Sequence, residues 1–186
     1  RDDAVVVKPE DFQVLVPIFH TATACAGAAT AYVLRRIAYR AGAYAPGIQE
    51  QVFHELNTSR DGGSIERVQT WFASRGGMLA ELGYRLQCRR AAIPTSALLD
   101  WVKQGKGYRG AMLPTSFSRL HGTMDAVDHA VGITIEKLGA KGDDELAMID
   151  PWPIDQPDRG KLSPKLDAAH RDRNYQALVF YWIGWS

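Results

Sequence analysis

The order of hydrophobic patterns along the chain constrains its fold more than any other feature. Helical periodicity and helix-end signals dominate the first half, where we predict helices over 25–40, 48–56, from 64 to the Gly76–Gly77 pair, and over 95–104. Apolar strand patterns dominate the second half, where we predict strands over 110–114, 127–136, 144–150 and 176–185. Helices followed by consecutive strands are typical of an α+β domain with an antiparallel sheet. We therefore predict a single domain over 1–186, mainly helical over about 13–110 and mainly β over about 110–186.

Composition and charge exclude several classes of protein. The formal net charge of +1 comes from interspersed charges and not from a basic stripe, so nucleic acid is not an expected partner. No apolar run approaches the roughly 18 residues needed to cross a bilayer, so we predict no membrane span. The chain starts at Arg1 without a Met or a signal-peptide pattern, which favours a processed chain or an excised domain of a longer protein, with secretion as an open alternative. Localisation and oligomeric state stay open.

Cys25 occupies an unusual position for a cysteine. It follows a run of small residues, Thr21 to Ala24, and opens the first amphipathic helix. A helix N-terminus carries the positive end of the helix dipole, which favours the thiolate form, so we predict a nucleophile at the surface of a cleft. Cys88 lies in an ordinary setting and is predicted to be a bystander. A disulfide between the two would abolish the nucleophile and is the alternative reading.

His129 and Asp150 lie on two segments that pattern as a β-hairpin. If the hairpin folds about Gly139 and Ala140, His129 faces Asp150, and the pairs Val131–Met148 and Ile133–Leu146 follow in register. Opposed residues share one face of a sheet, with their Cβ atoms roughly 5 Å apart. The carboxylate of Asp150 would then orient the imidazole as base, and Cys25, His129 and Asp150 would form a catalytic triad.

These residues and their flanks resemble the papain-like cysteine peptidases of the bacterial C39-like and AvrRpt2-like kind. The resemblance covers roughly residues 13–153 and rests on the helix-opening Cys25, on His129 followed by Ala-Val-Gly-Ile, and on the turn Asp150-Pro-Trp-Pro153. It implies an N-terminal helical subdomain that carries the cysteine, packed on a C-terminal antiparallel β-sheet that carries the histidine and the aspartate. It also implies cleavage of an amide bond in a protein or peptide substrate.

The chain departs from the family pattern beside the cysteine. The family has a Gln six residues before the Cys, whose amide helps to hold the oxyanion, whereas this chain has Phe19. Many relatives have Trp directly after the Cys, whereas this chain has Ala26. A preorganised donor near the backbone N–H of Cys25 would replace the missing amide. The candidates are His20, which we favour, Thr21 and Thr23.

The same triad serves several reactions, and the sequence does not choose among them. If water releases the acyl group of a main-chain amide, the enzyme is a protease. If the amide is a glutamine side chain, the enzyme is a deamidase, and if an amine takes the acyl group, it is a transglutaminase. A catalytically silent module that binds a peptide in the same cleft is the non-enzyme alternative. The resemblance favours a peptidase, in the setting of a secreted bacterial effector or toxin domain with an inhibitor or immunity protein as a further partner.

The remaining histidines carry no metal-binding spacing. We predict His54 on a partly solvated helix and His121 and His170 in loops, with no His-x-x-x-His or Cys-x-x-Cys pattern among them. The glycines around Lys106 precede a strand and not a helix, so they do not form a phosphate loop. We therefore predict neither a metal nor a cofactor.

Overall fold

A computed structural model describes residues 25–43, 48–56, 65–74, 86–122, 128–137, 145–151 and 160–183. The elements in chain order are α1 (Cys25–Ala41), α2 (Ile48–Leu56), α3 (Ile65–Ser74), β1 (Leu86–Ala92), α4 (Thr95–Gln104), β2 (Arg109–Ser116), α5 (Phe117–His121), β3 (Asp128–Lys137), β4 (Glu145–Ile149), α6 (Leu166–Arg171) and β5 (Gln176–Trp182). None of these helices is long and apolar enough to cross a membrane. The predicted extended segments before residue 18 lie outside the described residues.

The five strands form one antiparallel sheet in the order β1-β5-β2-β3-β4. The predicted α+β class is therefore confirmed. Three elements were not predicted from the sequence, namely the edge strand β1 and the short helices α5 and α6. Because β1 pairs with β5 along its whole length, the sheet also takes a strand from the half that was expected to be mainly helical.

Helices cover both faces of the sheet, and each face has its own apolar core. Strand residues of one parity pack with α1, α2 and α3 on what we call the α1 face; Met112, Ala130, Leu178 and Phe180 belong to it. Residues of the other parity pack with α4, α5 and α6 on the α4 face; Leu113, Val131, Ile133 and Val179 belong to it. Burial on both faces explains why these strands read as continuous apolar runs and not as alternating ones.

Gly132 of β3 lets α1 approach the sheet closely. A Cβ atom at this position would lie 3.0 Å from Val33 Cγ2 and 3.3 Å from the carbonyl oxygen of Ala29, both in α1. Any larger residue would push the helix away from β3. The glycine therefore fixes the distance between the helix that begins at Cys25 and the strand that begins near His129.

We expect Gly132→Ala to lower the free energy of unfolding by about 1–3 kcal/mol, because the added methyl group overpacks the contact with α1. Chemical denaturation measures this loss. Val33→Ala on its own opens a cavity, but combined with Gly132→Ala it removes the closer of the two contacts. The double variant should therefore lose less stability than the two single losses added together. Strict additivity would show that the close approach is not a constraint.

The predicted hairpin register is wrong by two residues. The structure pairs Gly132 with Ile149, Ile133 with Met148, and Ile135 with Leu146. Next to the connection the structure pairs Lys137 with Glu145, whereas a tight turn about Gly139 and Ala140 would pair it with Gly142. The irregularity between Ile135 and Lys137 adds a residue to β3 and reduces this offset from three residues to two. His129 is thus not directly opposite Asp150. A shift by an even number of residues nevertheless leaves each side chain on its predicted face.

Candidate functional site

Cys25 is the first residue of α1. The first four N–H groups of a helix have no acceptor within the helix, so a ligand at this end meets backbone donors and the positive end of the dipole. The side chain is only 9% exposed and belongs to the core of the α1 face. Cys25 is therefore more buried than a position near the surface of a cleft would suggest, and the cleft itself stays a prediction. The small residues that follow it, Ala26 to Ala29, allow α1 to pack closely on its surroundings and bury its first turn.

His129 contacts both of the residues predicted to act with it. Its Nε2 lies 2.6 Å from Asp150 Oδ1, and its imidazole also interacts with Cys25, which raises the pKa of the ring. An ionised carboxylate only accepts hydrogen bonds, so Nε2–H of His129 donates to Asp150. The other ring nitrogen, Nδ1, is then the one left to face the thiol. The imidazole itself is buried, with 4% of the residue exposed.

The surroundings of His129 favour its protonated form. Burial by itself lowers the pKa of the imidazole, but the hydrogen bonds and negative charges of Asp150 and Cys25 outweigh burial and raise the pKa to about 9. At neutral pH the ring is therefore an imidazolium. A protonated His129 between two acidic groups is the charge arrangement that a thiolate nucleophile requires.

Asp150 is placed by the end of β4 and by the proline that follows. It comes directly after Ile149, the last residue of the strand, and precedes the buried Pro151. A residue before proline is restricted to extended backbone conformations, so the backbone of Asp150 continues in the direction of the strand. It keeps the parity of Met148, which packs on the α4 face, and so reaches His129 diagonally across the hairpin.

His121 is a neighbour of the site that the sequence analysis missed. We predicted it in a loop without a function, but it is the last residue of α5, and its Nε2 lies 2.7 Å from Asp150 Oδ2. Helix α5 begins at the cap Ser116 and ends at Gly122, which adopts a left-handed conformation with φ of 68°. These two residues are the only sequence signals for a helix here, and the five residues between them are too few to show helical periodicity.

We predicted no metal, but the structure brings together three side chains of kinds that bind metal ions, His121, His129 and Asp150. One ligand atom from each lies within 4.8 Å of the others. A tetrahedral zinc ion with bonds of 2.0–2.1 Å keeps its ligand atoms about 3.3 Å apart. The nitrogen–oxygen distances of 2.6 and 2.7 Å are shorter than that. Each imidazole therefore contacts the carboxylate directly, at a separation shorter than that between two ligands of one zinc ion.

Within the described residues, neither His54 nor His170 contacts this site. His170 was predicted in a loop, but it lies in α6, where it is fully buried. Its Nδ1 lies 2.8 Å from the hydroxyl oxygen of Thr95 and its Nε2 lies 2.8 Å from the carbonyl oxygen of Gln176. Burial lowers its pKa despite the contact with that carbonyl, so it is a neutral structural residue. His54 is exposed on α2, as predicted.

Both cysteines are free thiols, so the disulfide alternative does not apply to this structure. Cys88 lies in β1 and is partly buried against the core of the α1 face. Burial raises the pKa of its thiol to about 12. Cys88 is thus protonated at neutral pH and makes a poor nucleophile.

The oxyanion candidates lie outside the described residues. This applies to His20, Thr21 and Thr23, and to Phe19 in place of the family's Gln. The donor that would accompany the backbone N–H of Cys25 stays a prediction.

Comparisons with known proteins add little to this geometry. No family model matches the sequence, and no curated protein is similar to it. Among solved structures, a variant of the Salmonella effector SpvD is similar in fold, with a TM-score of 0.47 and 8% sequence identity over 98% of this chain and 84% of that chain. A likeness this weak carries no argument about function.

Proposed function

We propose that this chain is a papain-like thiol hydrolase that cleaves an amide bond through a covalent acyl-enzyme. The observation that carries the proposal is the position of His129 between Cys25 and Asp150, with a hydrogen bond to Asp150 and an interaction with Cys25 that favours the protonated ring. The arrangement on separate elements also supports it, because a helix supplies the cysteine at its first residue and the sheet supplies the histidine and the aspartate.

In the first half of the reaction the Cys25 thiolate attacks the amide carbonyl carbon. A carbon–sulfur bond forms, and the carbonyl oxygen takes the negative charge. His129 then gives its Nδ1 proton to the amide nitrogen as the carbon–nitrogen bond breaks, and the amine leaves. Its pKa of about 9 ensures that this proton is present at neutral pH. Asp150 holds the ring so that Nδ1 faces the sulfur.

In the second half neutral His129 acts as a base. It takes a proton from a water molecule, which attacks the thioester carbon. The carbon–sulfur bond breaks, the acid product leaves and the thiolate–imidazolium pair is restored. The backbone N–H groups of the first turn of α1 lack helical acceptors and are the donors available to the oxyanion in both halves.

Peptidase activity on a protein or peptide is the reaction that we favour within this class. Glutamine deamidation and transglutamination would use the same three side chains with another acceptor or substrate. The setting as a secreted bacterial effector or toxin domain, with an inhibitor or immunity protein, likewise stays a prediction.

Selective alkylation tests whether Cys25 is activated. We expect iodoacetamide at pH 6 to label Cys25 at least ~10-fold faster than Cys88, because only the thiolate reacts and the Cys88 thiol is protonated. Mass spectrometry of peptides resolves the two sites. Labelling in urea provides the control, since both thiols should then react alike. Equal or absent labelling of the folded protein would identify a silent binding module.

A further inference from the structure

A second imidazole contacts the carboxylate of Asp150. We propose that His121 is a positioning residue that holds Asp150 in the orientation needed by His129, an inference that rests on the proposed function. The two carboxylate oxygens have different neighbours: Oδ1 lies 2.6 Å from His129 Nε2, and Oδ2 lies 2.7 Å from His121 Nε2.

The backbone of Asp150 does not by itself set the orientation of the carboxylate. Pro151 limits the backbone of the preceding residue but acts on none of the side-chain torsions. A carboxylate that turned away from His129 would leave a buried imidazole without its acceptor. A contact on Oδ2 opposes this rotation while Oδ1 stays with His129.

His121 is itself held in place by the short helix α5. The ring of Phe117, one turn earlier, lies 4.6 Å from the ring of His121 and 5.1 Å from that of His129, as measured between centroids. Gly122 ends the helix directly after His121. The stretch from β2 through α5 therefore presents an aromatic ring and an imidazole to the pair formed by His129 and Asp150.

The contact on Oδ2 is close but not fully aligned. Nε2 of His121 is buried, and its direction falls short of hydrogen-bond geometry. The separation of 2.7 Å lies within hydrogen-bond range, so a change in ring orientation without any closer approach would complete the bond. Hydrogen bonds of catalytic groups are often poorly aligned until substrate is bound.

The titration midpoint of His129 reports on this arrangement. The titratable groups that face His129 in the described residues are Cys25 from α1, His121 from α5 and Asp150 after β4. If the carboxylate is released, His129 keeps the penalty of burial but loses much of the stabilisation of its proton. Its midpoint must then fall, which a merely structural change in α5 would not cause.

Three replacements at His121 distinguish the effect of its hydrogen-bond donor from the effect of its aromatic ring. His121→Phe keeps a ring against Phe117 but removes the donor, and we expect the His129 midpoint in a ¹⁵N NMR titration to fall by about one pH unit. His121→Gln places an amide N–H near the position of Nε2 and should restore the midpoint. His121→Asn has a shorter amide and should behave like His121→Phe, and it serves in its place if that variant does not fold.

Arg119→Ala is the matched control on the same helix. Arg119 is exposed and pairs with Asp172 at 3.1 Å, away from the site, so its loss should leave the midpoint unchanged. A wild-type midpoint in all the His121 variants would overturn the proposal. So would a change in Cys25 alkylation after EDTA treatment of the purified protein, because His121 would then be a metal ligand. If the wild type lacks selective alkylation of Cys25, the proposed function fails, whatever the His121 variants show.

Discussion

Cys25→Ala is expected to reduce turnover by about 10⁴-fold or more while the protein stays folded. The sulfur atom is the proposed nucleophile, and no other group in the described site replaces it. The side chain is buried in the core of the α1 face, so its loss leaves a small cavity. We expect a loss in the free energy of unfolding of about 1 kcal/mol.

A peptide library read by mass spectrometry measures this effect without a known substrate. Cleavage creates new chain ends, deamidation converts glutamine to glutamate, and transamidation joins an added amine. The same experiment therefore identifies the acceptor. Cys88→Ala is the control, because it also removes a thiol, one that is partly buried, but should leave turnover intact. Turnover by Cys25→Ala equal to that of the wild type would exclude the proposed mechanism.

His129→Ala should lower turnover by about as much as Cys25→Ala, because residues of a catalytic triad act as a unit. Asp150→Asn should be milder, with a loss of about 10- to 100-fold, since the amide oxygen still accepts from Nε2–H of His129 while the negative charge is lost. Asp150→Ala should lie between the two. The same library assay, with a thermal melt for each variant, measures the order.

The pH dependence of wild-type turnover belongs to the same prediction. The amine leaves with a proton from His129, and this proton is lost as the pH rises through about 9. Turnover should therefore fall above that pH. Equal turnover in His129→Ala and the wild type, or no effect of Asp150→Ala, would contradict the roles given to these side chains.

The larger elements could be predicted because their signals are local. The helices 48–56 and 95–104 have the predicted bounds, since each has a full apolar stripe and Gly105 ends the second. Strand β1 was missed because its sequence, Leu-Gln-Cys-Arg-Arg-Ala-Ala, is mainly exposed and lacks a strand pattern. It is a strand because it pairs with β5 at the edge of the sheet.

The residues of the site could be predicted better than their geometry. The parity of His129 and Asp150 was right, whereas their register was not, because the sequence has no distinct signal for the pairing of Lys137 with Glu145 where the two strands meet. The burial of Cys25 depends on contacts between α1 and elements distant in sequence. His121 could not be found, because its proximity to Asp150 arises only when α5 and the end of β4 meet in three dimensions.

The rate of alkylation of Cys25 as a function of pH, in the wild type and in His129→Ala, tests the central claim most directly. It needs no substrate and reports on the charge pair itself. We predict that wild-type Cys25 reacts rapidly from pH 6 upward and that His129→Ala loses this low-pH reaction while it still reacts at high pH. A single titration near pH 8.5, as in an ordinary thiol, unchanged by His129→Ala, would show that the two side chains do not act together.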